Sequence, residues 1–238
     1  MIIIFFIITH WYMSLFFQTF FLHRYVSHRM FRMNIFWEKT FFLATFLIQG
    51  SSFLNPVAYG LMHRKHHKYS DTSKDPHSPL YFNNFFSFMW QTFREYRDLT
   101  SNILNKEVEY VNFPRFKIIE FLGELMITRI LFIFFYIAFY WFYASSFWLF
   151  LLIPIHIFMG PIHGFIVNWF GHKAGYRNYN NLPDNSKNTL PVDILMMGEL
   201  YQNNHHNSPT KSKFSDQWFE IDFAYFFIVI LKKIKILY

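Results

Sequence analysis

Three stretches of the chain, Met1 to Leu22, Thr40 to His63 and Ile130 to His172, contain no Asp, Glu, Lys or Arg, and the sequence between and after them is strongly polar. A membrane-crossing helix needs about 20 apolar residues at a rise of about 1.5 Å each. The first stretch therefore suffices for one crossing and the third for two, with Ala144, Ser145 and Ser146 as the turn of a helical hairpin. The spans are expected over 2–22, 127–144 and 147–168. The middle stretch is long enough to cross, but its centre reads Gln49-Gly50-Ser51-Ser52 and then Asn55-Pro56. Small residues and proline permit a helix to break in the membrane where protein covers the backbone. A re-entrant or interfacial segment over 40–62 is expected, because a single crossing would put the polar stretches flanking it on opposite faces.

With that topology every charged side chain lies on one face. Arg24, Arg29, Arg32, Arg64, Lys65 and Lys68 crowd it while the Ala144 to Ser146 turn carries none, so the positive-inside rule makes it cytoplasmic and the N-terminus outward. The stretch from Pro79 to Glu124 mixes aromatic and charged residues, as cytoplasmic and interfacial helices do. The tail from Phe223 to Leu231 is too short to span and ends in Lys232, Lys233 and Lys235, so it is expected against the membrane or the cytoplasmic region. The reading is an all-α integral membrane protein: one domain over 1–238, with about three transmembrane helices, a re-entrant or interfacial segment, and a cytoplasmic helical cap formed by 63–126 and 169–238 that holds a di-metal site.

Composition sharpens this picture. The 238 residues are 53% hydrophobic and 24% aromatic, more than a soluble domain of this size needs. The N-terminus lacks a basic leader and a small-residue cleavage site, which favours a retained helix over a removable signal. A net charge of +7 fits an anionic lipid surface, and no nucleic-acid partner is expected. The absence of cysteine excludes disulfides, thiolate-bound haem and Cys-held iron–sulfur clusters. No Gly-rich nucleotide loop occurs, so electrons for any redox chemistry come from another protein.

Histidine carries the candidate chemistry. Eight of the 12 histidines fall into four groups: His23 and His28 in HRYVSH, His63, His66 and His67 in HRKHH, His172 closing NWFGH, and His205 with His206 in QNNHH. Imidazole is the commonest ligand for transition metals, and groups spread along a chain must converge to make a site. His63, His66 and His67 project from one helix face, which can serve two ions. His205 and His206 diverge by about 100° on a helix and so suit different ions of a pair. Asn168 and His172 are one turn apart at the end of the last span. HRYVSH alone reads equally as a basic anchor, and HRKHH alone as a phosphate or lipid patch; it is their joint occurrence on one face that favours metal. Asp71, Asp75 and His77 in SDTSKDPHSP read either as partners orienting ligand imidazoles or as an Asp-Pro turn. His10 and His156, alone in apolar segments, read as hydrogen-bonded core, and Trp11, Trp169 and the Phe runs as packing or lipid-facing residues.

The order HRYVSH, HRKHHKYSDTSKDPH, NWFGH, GELYQNNHHNSP resembles the membrane fatty-acid desaturase family, and within it the Δ9 acyl-CoA (stearoyl-CoA desaturase-like) branch, over Thr9 to Asp222. The resemblance implies a non-haem di-iron centre, cycling between Fe2+ and Fe3+, at the cytoplasmic membrane surface. Its ligands would be His23, His28, His63, His66, His67, His172, His205 and His206, with Asn168 reaching one iron through a water. It further implies O2 as co-substrate and a fatty acyl substrate, as acyl-CoA, bent in an apolar tunnel. Two electrons would come from a donor such as cytochrome b5 or a ferredoxin, suited to the basic surface. Hydrogen removal from an unactivated methylene is beyond acid–base side chains and needs such a cofactor.

Three departures stand out. Gln202 occupies the position of a ninth family histidine, where it can donate its carbonyl oxygen or admit water, or where His163 or His77 can substitute. The chain has about three spans where animal relatives have four. Leu61-Met62 replaces an Arg-Asp pair that precedes the second box in those relatives. The competing readings are a di-iron lipid hydroxylase and a degenerate, non-catalytic metal- or lipid-binding membrane protein.

Overall fold

A computed structural model describes residues 1–82, 84–104 and 112–238, and among these it is all-helical, with three isolated β-bridges and no strand. The expected helices between Pro79 and Glu124 fall partly outside the described residues. Within them lie α4 (Phe85–Leu104) and α5 (Lys117–Glu124).

Helix α1 (Ile2–Phe17) continues without a break as a π-helix over Gln18–Ser27, so the first apolar helix is 26 residues long and runs past the expected end at Leu22. The wider turn has a consequence for the HRYVSH motif. The His28 amide donates to the His23 carbonyl at 3.3 Å, an i to i+5 bond, so residues five apart stack directly over one another. The two rings lie 5.1 Å apart between centroids.

Helix α2 (Ile35–Gln49) and helix α3 (Pro56–Tyr69) form a pair bent by 82°, as the Gly-Ser-Ser and Asn-Pro sequence suggests. Gly50 takes φ +54° at the break, and a Cβ there would lie 2.2 Å from the Tyr136 hydroxyl oxygen, so backbone conformation and space both require glycine. Asn55 then caps α3 by accepting from the amides of Val57 and Ala58. Arg129 donates to the Ser51 and Phe53 carbonyls at 2.8 and 3.1 Å and pairs with Glu124 at 3.2 Å, satisfying backbone that the break exposes.

Helix α6 (Met126–Tyr143) is the second straight helix long and apolar enough to cross a membrane. Its Phe134, Phe135, Trp141 and Phe142 are exposed, as lipid-facing residues would be, while Tyr136 and Tyr140 are buried. The stretch expected as one straight crossing over 147–168 is different. A 3-10 turn (Phe147–Leu152) and helix α7 (Ile153–Ile157) meet helix α8 (Met159–Lys173) at a 69° bend. Pro161 explains it: proline removes an amide and clashes with the carbonyl four residues back, that of Ile157. The Ile157 carbonyl accepts instead from Ser51 Oγ at 3.3 Å, and the Gly160 amide donates to Ser52 Oγ at 3.1 Å. The two helix breaks thus face and satisfy each other.

His10 and His156 are core residues, as expected. His10 Nε2 donates to the Ile48 carbonyl at 2.8 Å, the two Nδ1 atoms lie 2.6 Å apart, and the Tyr140 hydroxyl donates to His156 Nε2 at 2.9 Å. The chain of bonds ties α1, α2, α6 and α7 together. Helix α9 (Gln202–Asn207) and helix α10 (Phe223–Lys233) complete the fold. Helix α10 buries Ala224 and Ile228 and exposes Phe226, Val229 and Ile230 before its terminal lysines, so it is amphipathic and too short to span.

Candidate metal centre

The four histidine groups converge. One cluster holds His23 from the π-helix and His28 just past its end, His63 and His67 from α3, and His205 from α9; a second holds His66, His172 and His206, and in each the offered ligand atoms lie within 4.8 Å of one another. Helix geometry makes the division. On α3 the i, i+4 pair His63 and His67 faces one cluster and His66 the other, and on α9 the adjacent His205 and His206 separate in the same way. His28 Nε2 lies 2.7 Å from His63 Nε2, so the bent α2–α3 pair brings the first two histidine groups together.

Carboxylates stand behind the rings. Asp75 lies 2.9 Å from His66 Nδ1, Asp71 2.9 Å from His172 Nδ1, Asp184 2.6 Å from His206 Nδ1 and Glu199 2.5 Å from His23 Nδ1. Each ring N–H donates to its carboxylate, which fixes the tautomer and aims Nε2 inward. The two readings of Asp71 and Asp75 hold together, because Asp75 also accepts from the amides of Asp71 and His77, at 2.9 and 3.0 Å, and so shapes the turn. Glu199 and Asp184 are additions to the residues expected from sequence. Glu199 lies inside the GELYQNNHH motif and was legible there, whereas Asp184 sits in a loop without periodicity. Glu199 further accepts from Thr19 and lies 3.3 Å from the fully buried Arg24, which pairs with Asp222 at 2.8 Å.

Electrostatics favour neutral rings at His205 and His206 and ionised carboxylates at Asp71 and Asp184, whereas burial raises Asp75. Burial, followed by the neighbouring His23 and His67, lowers His205 well below the ordinary histidine value, and burial likewise lowers His206. Burial alone would raise Asp71 and Asp184. Hydrogen bonds from His172 and Ser78 in one case, and from His206 and Ser186 in the other, outweigh it and hold both carboxyls below the usual range.

This donor set fits metal ions. With both Nδ1 protons given to carboxylates, His66 Nε2 and His206 Nε2 present lone pairs to each other at 3.3 Å, too close for two uncompensated acceptors. In the five-histidine cluster, His23 Nε2 lies 3.0 Å from His205 Nε2, and His67 Nε2 lies 2.9 Å from the same atom. The buried His172 Nε2 and His205 Nδ1 have no partner among the described residues. Cations between the rings would relieve the facing Nε2 atoms and the unpartnered His172 Nε2, though not His205 Nδ1 on the far side of its ring, and neutral imidazoles with carboxylates behind them are what a divalent transition ion requires.

The remaining expected residues are placed as follows. Asn168 sits one turn before His172, its amide donating to the Gly164 carbonyl at 2.8 Å. Gln202 is buried, its amide donates to the Glu199 carbonyl at 2.7 Å, and it packs on Gly171, where a Cβ would lie 2.5 Å from Gln202 Cγ. His77 is buried beside His66, ring centroids 4.6 Å apart, and groups with His66 and Asp75 rather than with His172 and His206. His163 is in none of the clusters; its ring meets Trp11 edge to face at 4.5 Å.

A cavity of about 890 Å³ runs beside the centre, walled by α1, α3, α4 and α8. Its lining is overwhelmingly apolar, with Leu15, Met62, Phe88, Phe93, Phe158 and Ile166 among the walls, and His23, His63, Glu199 and Gln202 border it. The size is within the about 300–1,000 Å³ typical of small-molecule sites.

Comparison with known proteins agrees with this arrangement. The family model described as fatty acid desaturase matches residues 1–215. A probable chloroplastic lipid desaturase of Arabidopsis thaliana is 31% identical over 186 residues, covering 76% of this chain and 48% of that protein. The Delta-9 desaturase-like 4 protein of the same plant is 28% identical over 201 residues, covering 81% and 61%. An acyl-CoA C20 Delta5-desaturase of Anemone leveillei is 26% identical over 178 residues, covering 75% and 55%. The chain thus spans about half to three-fifths of the length of these relatives.

Proposed function

The chain belongs to the fatty acid desaturase family, and from that premise we propose that it introduces a cis double bond, at the Δ9 position, into a saturated acyl chain carried as its CoA ester. One observation carries the reading: two imidazole clusters lie side by side, and His23 and His63 of the five-histidine cluster line an apolar cavity of about 890 Å³. In this reading His23, His28, His63, His67 and His205 hold one iron, and His66, His172 and His206 hold the other with Asn168 acting through water. Such a pair of ions supplies the oxidising chemistry, coupling O2, two protons and two external electrons to removal of two hydrogens from adjacent methylenes, with two waters formed.

The chain's own residues do the rest. Asp71, Asp75, Asp184 and Glu199 hold the Nδ1 protons, so that Nε2 of each partner stays free to bind. The apolar walls take up the acyl chain and keep bulk water from the reacting carbons. Δ9 regiochemistry draws support from the Delta-9 desaturase-like relative, and a CoA carrier from the relative named as an acyl-CoA Delta5-desaturase, whereas another relative is named for lipid. The positive-inside rule supports a cytoplasmic centre, and the basic surface supports an acidic donor such as cytochrome b5 or a ferredoxin.

Expression in a host unable to make unsaturated fatty acids tests this directly, with double-bond positions read by mass spectrometry in both CoA and lipid pools. New cis monoenes are expected, and their loss in His66→Ala while the variant remains in the membrane. A product heavier by one oxygen would identify a hydroxylase instead, and desaturation retained in His66→Ala would refute the site.

A further inference from the structure

Among the few polar side chains that line the largely apolar cavity, two stand out that the metal centre does not use. His163 is fully buried and lines the cavity, and neither of its ring nitrogens has a hydrogen-bond partner among the described residues. Gln18 is 5% exposed and also lines it. The Gln18 amide donates to the Gly160 carbonyl at 3.4 Å, which orients the group and leaves Oε1 without a partner. Both border the same stretch of α8. Gly160, His163 and Gly164 share one face of α8 by their i, i+3, i+4 spacing, and Gln18 Nε2 lies against that face, 4.0 Å from where a Gly164 Cβ would be.

A saturated hydrocarbon chain would leave these atoms unmet, and buried polar groups without partners are rare because they are costly. The Trp11 indole, edge to face with His163, can receive the ring N–H; that leaves a His163 nitrogen lone pair and the Gln18 oxygen as two acceptors lining the same cavity, with the Tyr59 hydroxyl beside Gln18. A hydroxyl is the small group that answers them, since it donates one hydrogen bond and can accept another after a change of tautomer. On α8, His163 lies nine residues before His172, roughly 13 Å along the helix at 1.5 Å per residue, so the polar pair sits deeper in the cavity than the imidazole clusters.

We infer that His163 and Gln18 form a polar subsite for a hydroxyl group on the acyl chain, so that the cavity takes a mid-chain or distally hydroxylated acyl group in preference to a plain one. This rests on the cavity being the acyl site.

The full chain in nanodiscs is assayed for binding of tritiated stearate, displaced by unlabelled stearate or by hydroxystearates with the hydroxyl at successive positions. At least one hydroxylated isomer is expected to displace the label about tenfold better than stearate. That advantage is expected to vanish in His163→Phe and in Gln18→Leu, while both variants still bind stearate. Saturable stearate binding with no isomer favoured would overturn the subsite and leave the acyl cavity standing. So would an advantage that persists in both variants, which would put hydroxyl recognition elsewhere, or a water molecule alone between the two side chains in an experimental structure with the favoured isomer bound. Absence of saturable binding by any of these acids and by stearoyl-CoA alike would overturn the acyl-site reading and the subsite with it.

Discussion

His205 and His206 are adjacent in the chain yet face different clusters: His205 Nε2 lies 2.9 Å from His67 Nε2, whereas His206 Nε2 lies 3.3 Å from His66 Nε2. One cluster has five imidazoles and the other three. Losing His205 leaves four rings around one ion, whereas losing His206 leaves two around the other. His206→Ala should therefore abolish binding of one ion outright, and His205→Ala should weaken but retain the other. Metal content per chain by plasma mass spectrometry, before and after a mild chelator, separates the two. Equal losses would show that the clusters act as one site.

Glu199 accepts from both His23 and Thr19 and neighbours the buried Arg24. Glu199→Gln keeps the shape but removes the charge that fixes the His23 tautomer. An affinity loss of about 10–100-fold for the five-histidine ion is expected, as for other partners behind metal-bound imidazoles. Chelator competition measures it, and unchanged affinity would assign Glu199 to holding Arg24 alone.

Gln202 is held by Glu199 and by close packing on Gly171. Gln202→His should be tolerated and should raise retention of the three-histidine ion. A large loss of metal would show that the pocket is shaped for an amide. Gly171→Ala should be worse than either, since its methyl would meet Gln202 Cγ rather than the mobile end of the side chain. A lowered melting temperature together with lowered metal content is the expected signature.

Burial, then the neighbouring His66, pushes His77 down to about 3, so the folded chain keeps this ring neutral while the unfolded chain takes up a proton below its ordinary value of 6.5. A depressed histidine contributes its full stability above pH 6.5 and loses it as pH falls toward about 3. The slope is about 1.4 kcal/mol per pH unit for one proton. The metal-free chain should accordingly destabilise from pH 7 to pH 5, and His77→Gln should flatten that slope by about one proton. An identical slope in the variant would place the proton uptake on the other histidines.

Ser51 and Ser52 bridge the two helix breaks. Replacing both with alanine leaves the Ile157 carbonyl and the Gly160 amide unmet. The expected destabilisation is about 0.6 kcal/mol per bond on average for membrane helices. Thermal unfolding in detergent measures it, and no change would mean that water replaces both hydroxyls.

Much of this was legible in the residues themselves. The charge-free stretches marked the apolar helices because charge in hydrocarbon is costly, and Gly50, Asn55 and Pro56 marked the first bend because each limits or relaxes the backbone locally. The spacing of His63, His66 and His67 put all three on one helix face and the adjacency of His205 and His206 made them diverge, since helical phase follows from spacing alone; that His66 parts from His63 and His67 came from the structure. Other features were not legible. HRYVSH has no helical spacing until the turn widens to bring His23 under His28, and a π-helix depends on its neighbours. The bend at Phe158 was missed because apolar composition was continuous through Pro161, and what makes the bend tolerable is a pair of serines more than 100 residues earlier.

Sequence alone determined which side chains bring metal-binding chemistry, where the apolar stretches lie and where the first bend falls, because these depend on residue type and short-range spacing. Only the tertiary structure decided which carboxylate stands behind which ring, that Asp184 and Glu199 belong to the centre, and that His163 and Gln18 line the same cavity. Those relationships join residues from opposite ends of the chain, and their energies depend on distance, orientation and the exclusion of water, none of which a spacing encodes.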